Sequence, residues 1–311
     1  MVKAIAAIIF LFISACSISK SGSFSFPGNA IAPAPTQNSG SGNTIEILNS
    51  KTATLSDSTV SPSNIAYDGT RLLWMNTLGT SNCFPSDQAT FQYMGLDFSD
   101  QVTSTSTYST IDSGVDCNGS DYPIFGAAAG DSGMFWQTSS GGTSLSVRDD
   151  STGSLVSTIS ITPSNYGCTT GAPSSGNGPL ITYCGDLFYG ACTTSTNYLR
   201  LFSFDSTGTM QSAVTTTYSE LSYDKLNALT CYNDNSLLLV VNSGIPNSIY
   251  KYDLSFNQDA QAEFSSNWSN DLDTIVGIAT DGSYLYLQGV ADDSNSPPTV
   301  LFAQTTLGNL K

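Results

Sequence analysis

No histidine occurs in this 311-residue chain. That absence excludes an imidazole general base, the Ser-His-Asp and Cys-His arrangements, and zinc sites built on imidazole. Charge is scarce as well. Asp, Glu, Lys and Arg together make up 11% of the residues, against about 25% in an average soluble domain. Basic residues are the scarcest: 9 Lys and Arg stand against 25 Asp and Glu, a net charge of -16. A nucleic-acid partner is therefore excluded, because phosphate binding draws most of its affinity from a basic stripe that this chain lacks. Anionic lipid headgroups are repelled for the same reason. No C-x-x-C pair is present, which removes the usual thiolate zinc sites, and no cofactor motif stands out. The chemistry that remains belongs to carboxylates, hydroxyls and tyrosines.

No apolar run is long enough to span a bilayer, which takes about 20 residues. The opening run, Ala4 to Ile13, follows one positive charge, Lys3, and ends in Ser14, Ala15, Cys16 and Ser17. That layout reads as a cleaved secretory leader over residues 1–15. Ile13-Ser14-Ala15-Cys16 resembles the lipobox of bacterial lipoproteins, in which an aliphatic and two small residues precede an invariant cysteine. The resemblance implies cleavage before Cys16, acylation of its thiol and amino group, and attachment to the cell envelope. Ser17 in place of Asp implies onward sorting to the outer membrane in a Gram-negative envelope. Each buried methylene contributes about 0.8 kcal/mol, so two or three acyl chains would hold the protein firmly where one would not. An ordinary secretory leader with an incidental cysteine is the alternative. Without residues 1–15 the chain keeps 8 basic and 25 acidic residues, a balance of -17, so membrane attachment should come from the covalent lipid alone.

Residues 16–43 are rich in Ser, Gly, Pro and Asn without apolar periodicity, the composition of a flexible tether. An internal repeat follows. NIAYDGTRLLWMN (64–76), GAAAGDSGMFWQT (126–138), LITYCGDLFYGAC (180–192), ALTCYNDNSLLLVVN (228–242) and GIATDGSYLYLQG (277–289) each join two apolar strands through a tight turn. The turns hold Asp with Gly or Asn, residues that accept the backbone angles of short hairpins. The turn aspartates Asp68, Asp131, Asp186, Asp234 and Asp281 are spaced by 63, 55, 48 and 47 residues, periods that suit a four-stranded propeller blade. A third strand follows each hairpin: FQYMGLDF (91–98), TSLSVRDD (143–150), YLRLFSFD (198–205), SIYKYDLS (248–255) and TVLFAQTT (299–306). Four units then continue into a polar fourth strand, and the fifth reaches the end of the chain. TIEILNSKTATL (44–55) is the expected donor of its missing strand. The reading is all-β: residues 44–311 form a single β-propeller of five four-stranded blades, closed by the N-terminal strand. Six blades, or an unclosed pair of β-sandwiches, are the alternatives.

In such a ring the aspartate turns share one face, and the connections between blades and between second and third strands share the other. The second face collects the long segments 113–123, 162–179, 242–247, 265–274 and 289–298, and long loops on a rigid scaffold are the usual place for binding. Tyr122, Tyr166, Trp268, Asp271 and Asp273 are its candidate contact residues; plain solvated connections are the competing account. Besides Cys16 there are six cysteines, an even number that in an exported chain favours disulfides. The same mapping pairs Cys83 with Cys117, Cys168 with Cys192, and Cys184 with Cys231. The turn aspartates are spread round the ring, whereas a calcium site needs oxygens converging within about 2.6 Å of one ion, so they read as turn residues and no metal is expected. Trp74, Trp136, Tyr189 and Tyr286 recur in second strands. Packing between blades accounts for them better than a sugar-stacking ring does.

The functional expectation is a lipid-anchored binding module with a protein or glycan partner. A glycosidase-like enzyme is one alternative. It needs two carboxyls roughly 5 to 9 Å apart, and the expected inner strands offer no Asp or Glu outside their turns. A structural scaffold of a surface complex is the other.

Overall fold

The computed structural model describes residues 43–54, 60–67, 72–78, 88–94, 104–112, 127–129, 134–138, 144–149, 155–161, 163–168, 179–195, 198–217, 226–241, 247–264, 274–290, 299–307 and 310. Strands make up almost all of them. The chain opens with β1 (Asn43–Ile45) and β2 (Ile47–Thr54). A first sheet follows, of β3 (Val60–Tyr67), β4 (Leu72–Leu78), β5 (Gln88–Met94) and β6 (Ser104–Asp112). The second holds β7 (Ala127–Ala129), β8 (Met134–Thr138), β9 (Ser144–Asp149) and β10 (Leu155–Ser160). A 3-10 turn, Pro163–Tyr166, leads to the third: β11 (Leu180–Cys184), β12 (Leu187–Ser195), β13 (Tyr198–Phe204) and β14 (Met210–Thr217). The fourth has β15 (Leu226–Tyr232), β16 (Ser236–Val241), β17 (Ser248–Asp253) and β18 (Gln258–Phe264). Last come β19 (Thr274–Thr280), β20 (Leu285–Val290) and β21 (Thr299–Thr305).

Apart from β1 and β2, the strands of each sheet form an antiparallel meander in chain order, as short turns demand. The first strands of the sheets lie against one another in succession: β3 with β7, β7 with β11, β11 with β15, β15 with β19, and β19 with β3. This architecture is propeller-like.

The N-terminal segment departs from the single closing strand expected of it. Residue 46 divides it in two. β1 runs parallel to β18 on the outer edge of the fourth sheet, whereas β2 runs antiparallel to β21 as the outer strand of the fifth. The Thr305 hydroxyl donates to the Glu46 carbonyl at the junction. Burial explains the division: Ile45 is 1% exposed among Ala262, Phe264 and Ile275, so the chain first inserts Ile45 at the seam between two sheets and only then pairs with the second.

Alternation of side chains builds the core. On β16, Leu237, Leu239 and Val241 pack toward the third sheet with Leu199, Leu201 and Tyr189. Leu238 and Val240 pack toward the fifth with Ile278, Leu285 and Leu287. Both faces of the strand are therefore covered, and SLLLVV is an unbroken buried run instead of an alternating one. Between the second and third sheets, Leu145, Val147 and Ile159 meet Phe188, Phe202 and Phe204. Phe188 stacks on Phe204 at a 5.1 Å centroid distance. Full burial of each such side chain contributes about 1.5–3 kcal/mol, so the sheet-to-sheet wedges carry the stability. Tyr189 lies in the wedge between the third and fourth sheets, 4% exposed, and Tyr286 is buried at 2% exposed. The side chains of Trp74 and Trp136 lie outside the described residues.

Candidate functional site

The two ends of the assembly differ in how their polar groups are used. At the short-turn end, the turn between β19 and β20 is held by Asp281. Its Oδ1 accepts the backbone N–H of Ser283 at 2.8 Å and of Tyr284 at 2.7 Å, and its Oδ2 accepts the Tyr286 hydroxyl at 2.8 Å. Desolvation is the largest single influence on this carboxyl and opposes its charge. Together the Tyr284, Tyr286 and Ser283 hydrogen bonds outweigh that and hold its pKa below the usual aspartate value. In the turn between β15 and β16, Asn233 and Asp234 take left-handed backbone angles, φ 51° and 54°, which Asn and Asp tolerate better than other side chains.

Neighbouring turns also nest. A Cβ on Gly282, whose φ is +86°, would stand 2.7 Å from Oδ1 of Asn233. Beside them Cys184 at the end of β11 is bonded to Cys231 of β15, tying the third sheet to the fourth. Asp281 and Asp234 serve backbone geometry, one through its carboxylate and the other through its left-handed φ, and among the described residues no three His, Cys, Asp or Glu side chains could hold a metal ion. Asp68 and Asp131 lie outside the described residues.

A second set of aspartates closes the turns after third strands. Asp205 Oδ1 accepts from the N–H of Thr207 at 2.8 Å and Thr209 at 3.1 Å, and Oδ2 from Gln211 Nε2 at 2.8 Å. Asp253 repeats the pattern with Ser255 N–H, Asn257 N–H and Asn257 Nδ2, all at 2.8 Å. These aspartates are not among the turn residues of the repeat. The signal was present, since an Asp lies at or within two residues of the end of the third-strand segment in FQYMGLDF, TSLSVRDD, YLRLFSFD and SIYKYDLS.

At the opposite end, the connection from the second sheet to the third carries Cys168, bonded to Cys192 of β12 with Cα atoms 5.7 Å apart. The two described bonds are the Cys168–Cys192 and Cys184–Cys231 pairings of the sequence argument. Tyr166 needs a correction. Offered as a contact residue, it is 3% exposed. It stacks on Phe202 at 4.8 Å and its hydroxyl donates to the Gly208 carbonyl at 2.8 Å, so it is a wedge between two sheets. An aromatic residue in a Ser- and Gly-rich segment was read as exposed, whereas apolar area of this size is buried wherever a neighbouring wedge admits it. Tyr122, Trp268, Asp271, Asp273, Cys16, Cys83 and Cys117 lie outside the described residues.

Arg200 was also passed over. Third in β13, it sits in register with Cys192 and Thr215. Its Nε donates to the Tyr166 carbonyl at 3.0 Å and its Nη1 to Thr215 Oγ1 at 2.7 Å. Burial pushes its pKa down. The first strands of the five sheets read VSPSNIAY, AAA, LITYC, LNALTCY and TIVGIAT, without one carboxylate. Asn227, the extra residue of a β-bulge in β15, has a buried Nδ2 without a hydrogen-bond partner among the described residues.

No known family matches this chain, and no curated protein does. Among solved structures it is similar to the glutaminyl cyclase of Myxococcus xanthus, with 11% identity and a TM-score of 0.52 over 85% of this chain and 98% of that one. It also resembles, more distantly, a calcium-binding regucalcin of Agrobacterium tumefaciens, with 11% identity and a TM-score of 0.44 over 85% of this chain and 96% of that one. The cyclase likeness carries the propeller-like fold alone, and the regucalcin likeness carries no argument.

Proposed function

We propose that this chain is a lipid-anchored protein of the cell envelope whose domain, residues 44–311, is a five-bladed β-propeller closed by β2 and binds a protein or glycan through its long-loop face. The observation that carries the reading is the Cys168–Cys192 bond. It fixes the connection between the second and third sheets onto β12, giving the adjoining loop a rigid base of the kind binding loops need. The opposite face supports the same choice, because the carboxylate of Asp281 there is occupied by its own turn. Axis strands without Asp or Glu weigh against glycosidase chemistry, which requires a carboxyl pair. Two disulfides suit an oxidising compartment, and the lipobox at Cys16 supplies the anchor.

The full chain, displayed on membranes, should capture its partner from envelope fractions or glycan arrays. Replacing Tyr122, Trp268, Asp271 and Asp273 by Ala should abolish capture, and replacing Tyr284 on the short-turn face should not. Equal loss from both sets would refute the face assignment. Cys16→Ser should release the protein into the soluble fraction, and continued membrane retention would refute acylation.

A further inference from the structure

We infer that Ile45 on one side, and Leu307 with Leu310 on the other, form a latch that keeps the β2–β21 ladder from unzipping when the segments beyond it are pulled apart. The pairing of those two strands is the only premise, and neither the binding face nor the lipid anchor enters. β21 is the last strand of the fifth sheet, and β2 supplies its outer edge from the opposite part of the chain. The ladder runs from Ile47 opposite Thr305 to Thr54 opposite Thr299. The chain upstream of β2 and the chain downstream of β21 therefore leave it at the same end. A pull between them would load the pairs one at a time, starting from Ile47 and Thr305. Segments at a free end fray at almost no cost unless they are tied down.

Both strands are tied down just beyond that end, and into the same place. Ile45 precedes Ile47 by two positions and is 1% exposed in a cluster with Ile275, Ile278, Leu285 and Leu287. Leu307 follows Thr305 by two positions, and it and Leu310 pack against that same cluster. Each plug has backbone support. Asn43–Ile45 pairs with Ala262, Glu263 and Phe264 of the neighbouring sheet, and the Leu310 N–H donates to the Leu307 carbonyl at 2.8 Å. Between the plugs the buried Thr305 hydroxyl donates to the Glu46 carbonyl. Leu48, just inside the ladder, is 52% exposed and adds no plug of its own. A load arriving through residue 43 or residue 310 must withdraw apolar side chains from the wedge between the fourth and fifth sheets before it reaches the first pair of the ladder. That withdrawal exposes buried apolar area to water in one step, where unzipping would proceed by small ones.

Optical tweezers on the full chain, held at its two ends under constant load, test this. Ile159→Ala is the control for lost stability, since it removes the same side chain from the wedge between the second and third sheets. The native chain should resist and then open in one abrupt first step. Ile45→Ala should shorten the time to that step about tenfold more than Ile159→Ala does. Equal lifetimes for the two variants overturn the inference, because the loss is then one of overall stability. Leu307→Ala removes a side chain that is only partly buried, so it keeps the test open if Ile45→Ala fails to fold. It should shorten the lifetime in the same sense, and an unchanged lifetime overturns the inference. Native chains that open gradually at low force, with no abrupt first step, overturn it as well.

Discussion

The phenolic hydroxyl of Tyr286 on β20 donates to Oδ2 of Asp281, five residues earlier in the same hairpin, at 2.8 Å. One member is buried at 2% exposed and the other caps a surface turn, so the pair ties core to turn. Two pH dependences follow, with opposite signs. The Asp281 pKa is held below its unfolded value. Its stabilising contribution is thus complete above about pH 4 and is lost as pH falls through the folded value. The Tyr286 pKa is raised, first by desolvation and then by the bond to Asp281. Its contribution is complete below about pH 10 and is lost as pH rises toward the folded value. Tyr286→Phe should lower stability by about 1.5 kcal/mol at neutral pH and flatten both limbs of a plot of urea midpoint against pH. Unchanged limbs would refute the coupling.

Gly190 on β12 lies under the ring of Phe202, where a Cβ would stand 2.2 Å from the ring carbon Cζ. Phe202 is fully buried and stacked on Tyr166, so it has nowhere to move without displacing the 3-10 turn. Gly190→Ala should cost about 1–3 kcal/mol by overpacking. It should also expose the Pro163–Tyr166 turn to limited proteolysis.

Ile45 and Leu48 are three residues apart on the N-terminal segment, 1% and 52% exposed. Ile45→Ala should destabilise the chain by about 2–5 kcal/mol. Leu48→Ala should change stability by no more than about 0.5 kcal/mol. Guanidinium denaturation of the two variants distinguishes β1 as an inserted clasp from β1 as a loosely laid strand, for which the two values would be alike.

The two disulfides close loops of different length, with sequence separations of 24 for Cys168–Cys192 and 47 for Cys184–Cys231. If each acts chiefly by restricting the unfolded chain, removal costs about 2–4 kcal/mol. The longer should exceed the shorter by roughly 0.6 kcal/mol, the increment for a doubled loop. Paired Cys→Ala variants compared by thermal unfolding measure both.

Much of the architecture was legible because its determinants are local. TMQSAVTTTY (209–218) became β14 over Met210–Thr217, and SIYKYDLS (248–255) became β17 over Ser248–Asp253, since alternation and β-branched residues act within a strand. The candidate site was less legible. Tyr166 went from exposed contact to buried wedge because its partners, Phe202 and Gly208, are 36 and 42 positions away. Arg200 was missed because nothing in YLRLFSFD distinguishes a guanidinium facing a neutral carbonyl from one facing solvent.

By itself the sequence determined the β character, the tight aspartate turns and the repeat period, all of which follow from steric and hydrogen-bonding preferences of residues within a few positions of one another. Only the tertiary structure decided that Ile45 enters the seam beside Ile275 while Ile47 pairs with Thr305, and that Arg200 meets Tyr166. Those contacts depend on how twisted sheets stack. Stacking is set by shape and burial summed over whole faces, a quantity that no short stretch of chain records.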